Sequence, residues 1–148
     1  MKYVYLAAMV SALTFMYCNT PQKSAPSTGT DPMKSELLNT QWKLVELNGR
    51  KVVNPIPNQK VADIKLMPEG SRLVGSGGCN AMMGTYELRD RNRLKFSAIA
   101  MTKMACPDMS IEDELGQVFS ATNKYAINGK ILALHKGKRA PLAKFEAQ

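Results

Sequence analysis

The run from Val74 to Leu88, VGSGGCNAMMGTYEL, sets four glycines, Gly75, Gly77, Gly78 and Gly84, around Cys79 and Asn80, between segments that otherwise read as strands. Without a β-carbon, glycine admits positive φ and the close approach of a second chain, and asparagine is among the few other residues that tolerate left-handed backbone. A bulge or a sharp corner in a curled sheet needs that freedom. Gly75, Gly77, Gly78, Asn80 and Gly84 are therefore read as a structural turn. A phosphate loop is excluded, because such a loop ends in lysine followed by serine or threonine where a helix starts. This run instead passes through Cys79, Asn80, Ala81 and Met82 into another strand pattern.

The rest of the chain has the short periods that such a sheet requires. Residues 40–47 alternate, with Trp42, Leu44 and Glu46 on one face and Lys43, Val45 and Leu47 on the other, before the turn pair Asn48-Gly49. Leu47 falls opposite the tryptophan face, as is common at a strand end. Pro55 and Pro57 rule out a helix interior or a central strand over 52–59. Residues 61–67 put Ala62, Ile64 and Leu66 on one face, and further strands are predicted over 72–75, 84–88, 94–97, 125–127, 131–135 and 142–145. One segment changes period. Ile111, Leu115, Val118, Phe119 and Thr122 recur at helical spacing, Ser110 and Asp113 can form a capping box, and Glu112, Asp113 and Glu114 fall in the first turn, where the helix dipole favours carboxylates. This predicts a helix over 111–123. About eight strands with short connections favour antiparallel pairing. The expected fold is α+β and β-dominated: a curled antiparallel sheet or small barrel with one principal helix packed on it.

At the N-terminus, Lys2 precedes an apolar run from Tyr3 to Tyr17 broken only by Ser11 and Thr14. That run is short for a spanning helix and suits the hydrophobic part of an export signal over residues 1–18. Residues 19–32 hold Pro21, Pro26 and Pro32, one glycine and no aromatic or large aliphatic side chain. They cannot bury enough apolar surface to order themselves, so 19–33 reads as a flexible tether and 34–148 as one folded domain. The chain carries a formal net charge of +8, and no acidic residue interrupts the stretch from Lys124 to Phe145. Lys130, Lys136, Lys138, Arg139 and Lys144 in that stretch are a candidate surface for anionic lipid headgroups or an acidic envelope protein. Nucleic acid is excluded as a partner, since export removes it and no helix-turn-helix, zinc-finger or aromatic RNA-binding pattern is present.

Two resemblances bear on these segments. Cys18 closes the apolar run as in a bacterial lipoprotein signal, where cleavage precedes a cysteine that is then acylated, although Phe15, Met16 and Tyr17 stand where the usual lipobox has small residues. The remainder resembles the META domain family, also called HslJ-like. The residues that carry the likeness are Trp42 and Leu44 followed by Asn48-Gly49; Val74, Gly75, Gly77, Gly78, Cys79 and Asn80; Gly84, Tyr86, Leu94 and Phe96; Ile99, Thr102, Met104, Ala105 and Cys106; Glu114 and Phe119; and Tyr125, Gly129, Leu132, Leu134 and Phe145. The resemblance implies antiparallel strands of lipocalin-like barrel character with one main helix, in exported proteins linked to heat-shock response and antibiotic tolerance. It implies no agreed catalytic residues and no cofactor.

Cys79 and Cys106 lie in the same domain, and with Cys18 acylated they leave an even pair, so they are expected to form a disulfide in an oxidising compartment; two buried free thiols are the alternative. Thiol catalysis would need His135, the sole histidine, to meet Cys79. No metal is expected, because a zinc site would need Asp108 and His135 to join the cysteines from separate elements. The irregular spacing of Met82, Met83, Met101, Met104 and Met109 fits core filling better than copper binding. The functional expectation is a non-enzymatic, membrane-tethered envelope module that binds a protein or a surface. A small-ligand binder using an interior lined by Trp42, Leu44, Tyr86 and Phe96 is the alternative, and a cysteine-dependent enzyme the third reading.

Overall fold

The computed structural model describes residues 32–53 and 60–148. Cys18, the expected signal, the tether through residue 31 and the prolines at 55 and 57 lie outside the described residues. In chain order come a short helix α1 (Pro32–Leu37), strands β1 (Gln41–Leu47), β2 (Arg50–Lys51), β3 (Asp63–Met67), β4 (Arg72–Ser76), β5 (Ala81–Arg89) and β6 (Arg93–Met101), helix α2 (Ser110–Ala121), and strands β7 (Lys124–Asn128), β8 (Ile131–His135) and β9 (Ala143–Ala147). The nine strands form one sheet in the order β6-β5-β4-β3-β1-β9-β8-β7, with β2 attached to β1. Every strand pairing is antiparallel. This is the β-dominated α+β fold expected, a curled sheet with one principal helix.

The curl follows from the outer strands meeting at one end. Leu94 N–H donates to the Asn123 carbonyl at 3.4 Å and Tyr125 N–H to the Asn92 carbonyl at 3.0 Å, drawing β6 and β7 together. Helix α2 lies against β6, with the Phe119 ring edge-on to Phe96 at a centroid distance of 4.9 Å. The inward residues of the strands fill the space beneath. Trp42, Leu44, Tyr86 and Phe96 all belong to this buried cluster. Their polar tips are satisfied internally: Trp42 Nε1 donates to the Leu37 carbonyl and the Tyr86 hydroxyl to the Met67 carbonyl, each at 3.0 Å.

Two bulges depart from simple alternation. Between Leu44 and Glu46 the register of β1 against β9 shifts, so one extra residue returns Leu47 to the tryptophan face, where it is 2% exposed. Leu47 is therefore a core residue and not a frayed strand end. The register of β5 against β6 shifts between Met83 and Thr85, and Ala98 takes a φ of 51° there. This kink carries β6 on to Met101, past the expected end at Ser97.

The start of α2 also differs from expectation. Ser110 is itself the first helical residue, and Met109 before it makes no side-chain cap. The Ser110–Asp113 capping box is thus not formed; Asp108 takes its place by accepting the Ser110 N–H at 2.9 Å. The helix stops at Ala121 because Thr122 turns extended, returning its hydroxyl to the Val118 carbonyl at 2.7 Å.

Candidate functional site

The glycine run is a corner between β4 and β5 built around one carboxylate. Glu112, in the first turn of α2, accepts the backbone N–H of Cys79 at 2.9 Å, the backbone N–H of Asn80, and Asn80 Nδ2 at 2.8 Å. Asn80 is fully buried, and its Oδ1 accepts the Thr102 hydroxyl at 2.8 Å and the Met104 N–H at 2.7 Å. One asparagine and one glutamate thus pin the corner, the chain leaving β6 and the start of α2 to each other. Burial pushes the Glu112 carboxyl up, but the Asn80 N–H, the Asn80 side-chain amide and the Cys79 N–H more than reverse this and hold it below its ordinary value.

This geometry corrects the reading of the turn. Asn80 is not among the residues of positive φ, so it serves as a hydrogen-bonding hub instead of a left-handed corner. The left-handed position is Gly78, with φ 122°. A β-carbon on Gly77 would sit 2.5 Å from Glu112 Cγ. Gly75 and Gly84 are not in the turn: they lie within β4 and β5, where a β-carbon would strike the Asp63 carbonyl oxygen and the Ile99 side chain respectively. Sequence reasoning missed Glu112, whose spacing within the helix marked it only as a first-turn carboxylate.

The sulfurs of Cys79 and Cys106 lie at disulfide distance, with Cα atoms 6.4 Å apart, tying the segment between β6 and α2 to the same corner. The structure does not bring His135 to Cys79. His135 is on β8, with three strands between it and β4 in the sheet, and its Nδ1 faces the Arg139 carbonyl at 3.1 Å. Among the described residues no three His, Cys, Asp or Glu side chains are grouped to hold a metal ion. Met82 is in the core, whereas Met83, Met104 and Met109 are exposed.

The candidate basic residues divide. Lys136, Lys138 and Arg139 share the β8–β9 turn, which is fixed beside the start of β7 by Gly137 N–H donating to Asn123 Oδ1 at 2.7 Å. Lys130 lies at the other end of β8, a strand length of about 17 Å away. Lys144, read from sequence as lacking an acidic partner, donates to Glu46 Oε2 at 2.9 Å across the β1–β9 pair. A separate groove of about 410 Å³ runs between α2 and the second half of β6, lined by Phe96, Ile99, Met101, Asp113, Phe119 and Ser120 among others.

The META domain profile matches residues 35–148, which takes in every described strand, the Asn80–Glu112 corner and both domain cysteines. The chain belongs to the META domain family. Two solved structures share the fold of this META domain. One, described as an NMR structure of the protein from Burkholderia xenovorans, is 21% identical with a TM-score of 0.59, covering 87% of this chain and 98% of its own. The other, also an NMR structure, is 18% identical with a TM-score of 0.59, covering 76% of this chain and 92% of its own. No curated protein matches the chain.

Proposed function

We propose that this META domain is a non-enzymatic recognition module of the bacterial envelope, held at the membrane by acylated Cys18 and working through its outer surface. The observation that carries this reading is where the chemically capable groups are spent. Cys79 faces Cys106, and all three hydrogen bonds of Glu112 go to the corner that it supports. Packing of Trp42, Leu44, Tyr86 and Phe96 into one core supports surface recognition over an interior ligand. Lys136, Lys138 and Arg139 on the β8–β9 turn are the exposed cations from which recognition of an acidic envelope component starts. The test is crosslinking of native envelopes with the acylated full chain as bait, alongside the triple reversal Lys136→Glu, Lys138→Glu, Arg139→Glu. Salt-sensitive capture lost in the reversal supports the reading, and identical capture by both chains at all ionic strengths contradicts it.

The groove between α2 and β6 favours a second reading, since its volume falls in the range of small-molecule sites. Gly116 on its wall has open space around its β-carbon position, so Gly116→Leu would fill the groove without disturbing the core. Saturable binding of an apolar fluorescent probe, abolished in Gly116→Leu, would move the function there.

A further inference from the structure

Four neighbouring strands carry a basic side chain at the same level of the sheet. Arg89 in β5 faces Arg93 in β6, and Lys124 in β7 faces His135 in β8. The two pairs join where the sheet curls shut. The bonds from Leu94 N–H to the Asn123 carbonyl and from Tyr125 N–H to the Asn92 carbonyl straddle Arg93 and Lys124, which is the antiparallel pattern of a directly opposed, non-hydrogen-bonded pair. Arg89, Arg93, Lys124 and His135 therefore make one transverse row, with about 4.8 Å per strand step and a length of roughly 14 Å. The first three are exposed and His135 is half-buried. Lys136 and Lys138 follow directly on the β8–β9 turn, and Lys95 flanks the row in β6.

Apart from the His135 contact to the Arg139 carbonyl, this row does nothing evident for the fold. Like charges directly opposed on adjacent strands are destabilising. Glu87 relieves one of them by pairing with Arg89 at 2.7 Å, and it also stands opposite Lys95. Among the described residues Arg93 and Lys124 have no ion-pair partner. Two unneutralised cations held side by side at the seam of the sheet call for an external anion.

The surroundings decide its kind. The large exposed apolar side chains of the described residues are Val53, Met83, Met104 and Met109, none of which belongs to the row or its flanks. A protein interface draws most of its energy from buried aromatic or aliphatic anchors. A cationic row without any such anchor fits a diffuse anionic layer instead. We propose that this row docks the domain onto an anionic lipid surface, its cations meeting headgroup phosphates with no side chain entering the acyl layer. The proposal rests on the surface-recognition reading above and names its partner.

The chain from residue 32 onward, its folding established first by circular dichroism, is mixed with vesicles of phosphatidylcholine plus phosphatidylglycerol, with pure phosphatidylcholine vesicles, and with a short DNA duplex at equal phosphate. Binding to the mixed vesicles alone, weakened by added salt, is expected. Each cation at the membrane surface contributes about fivefold, so Arg93→Gln with Lys124→Gln should lower partition roughly 30-fold. The control, Lys60→Gln with Lys103→Gln, removes the same charge from exposed positions beside the glycine corner and should lose far less. Circular dichroism checks that both variants fold. Equal loss in the control, equal binding to both vesicle types, or tighter binding to the duplex overturns the proposal. If the row variant binds like the parent while capture by the acylated full chain is still lost in the triple reversal, the row fails and the surface reading stands; if the reversal also captures as the parent does at all ionic strengths, the reading itself goes.

Discussion

Replacing Glu112 by glutamine keeps the side-chain size and removes only the charge at the centre of the glycine corner. Three donors converge on that carboxylate: the Cys79 N–H, the Asn80 N–H and the Asn80 amide. Hydrogen bonds to a charged group contribute about 1.5–3 kcal/mol and neutral ones about 0.5–1.5, so each loses about 1 kcal/mol. Glutamine also brings its own NH₂ into one of the two oxygen positions, and both positions face donors. Whichever orientation it takes, donor meets donor in a buried site, adding about 1–3 kcal/mol. The expected loss is about 4–6 kcal/mol, which a domain of ordinary stability survives with little margin or not at all. Urea unfolding followed through Trp42, the only tryptophan and 1% exposed, measures it with the cysteine pair left oxidised. Acid gives a second readout. Because the folded carboxyl lies below its ordinary value of 4.5, its contribution is complete above that pH and is lost as pH falls through the folded value. The parent should therefore weaken on acidification below pH 4.5, and the variant should weaken less steeply there. A loss under about 1 kcal/mol, with the two proteins running parallel in acid, would refute the idea that this carboxylate holds the corner.

Peptide mapping without reduction should recover a linked Cys79–Cys106 pair, and reducing it should cost about 3.5 kcal/mol for a sequence separation of 27; alkylation of both thiols before reduction would contradict this. Leu47→Ala should destabilise by about 2–5 kcal/mol, because the β1 bulge turns that side chain into the core; a change near zero would mean that it faces outward. Gly75→Ala should lose about 1–3 kcal/mol or fail to fold, since its β-carbon meets the Asp63 carbonyl of the adjacent strand, and an unchanged urea midpoint would count against that contact. Intact-mass analysis should find the mature chain starting at acylated Cys18, and a chain retaining Met1 would rule out the lipid anchor.

Sequence alone made the strands legible where side chains alternate, as in Ala62, Ile64 and Leu66, because one face of a curled sheet is buried throughout. It failed where an extra residue enters a strand. Leu47 and Ala98 both follow register shifts, and a shift is set by the partner strand, which the local pattern does not contain. The corner was legible as a corner but not as a mechanism. Gly77, Asn80 and Glu112 come together only once α2 is laid beneath the β4–β5 turn, and a glutamate in a first helical turn already has a sufficient local explanation in the helix dipole. The row through Arg93 and Lys124 was invisible for the same reason: the two residues belong to hairpins in different parts of the chain and meet at the seam.

The position of β9 has a consequence for how the chain acquires this shape. The last strand lies in the middle of the sheet, between β1 and β8, with Phe145 opposite both Leu44 and Leu132. Before it arrives, the strands from β1 to β6 and the β7–β8 hairpin have no strand in common through β1. Joining β1 to β9 makes these contacts long in the sequence, so β9 must be present before the core can close. A polypeptide threaded lengthwise through a pore could pair β3 to β6 as they emerged, but could not complete the β1–β9–β8 part of the sheet until β9 had followed. A stop codon just before Ala143 would remove an interior strand of the sheet and part β1 from β8.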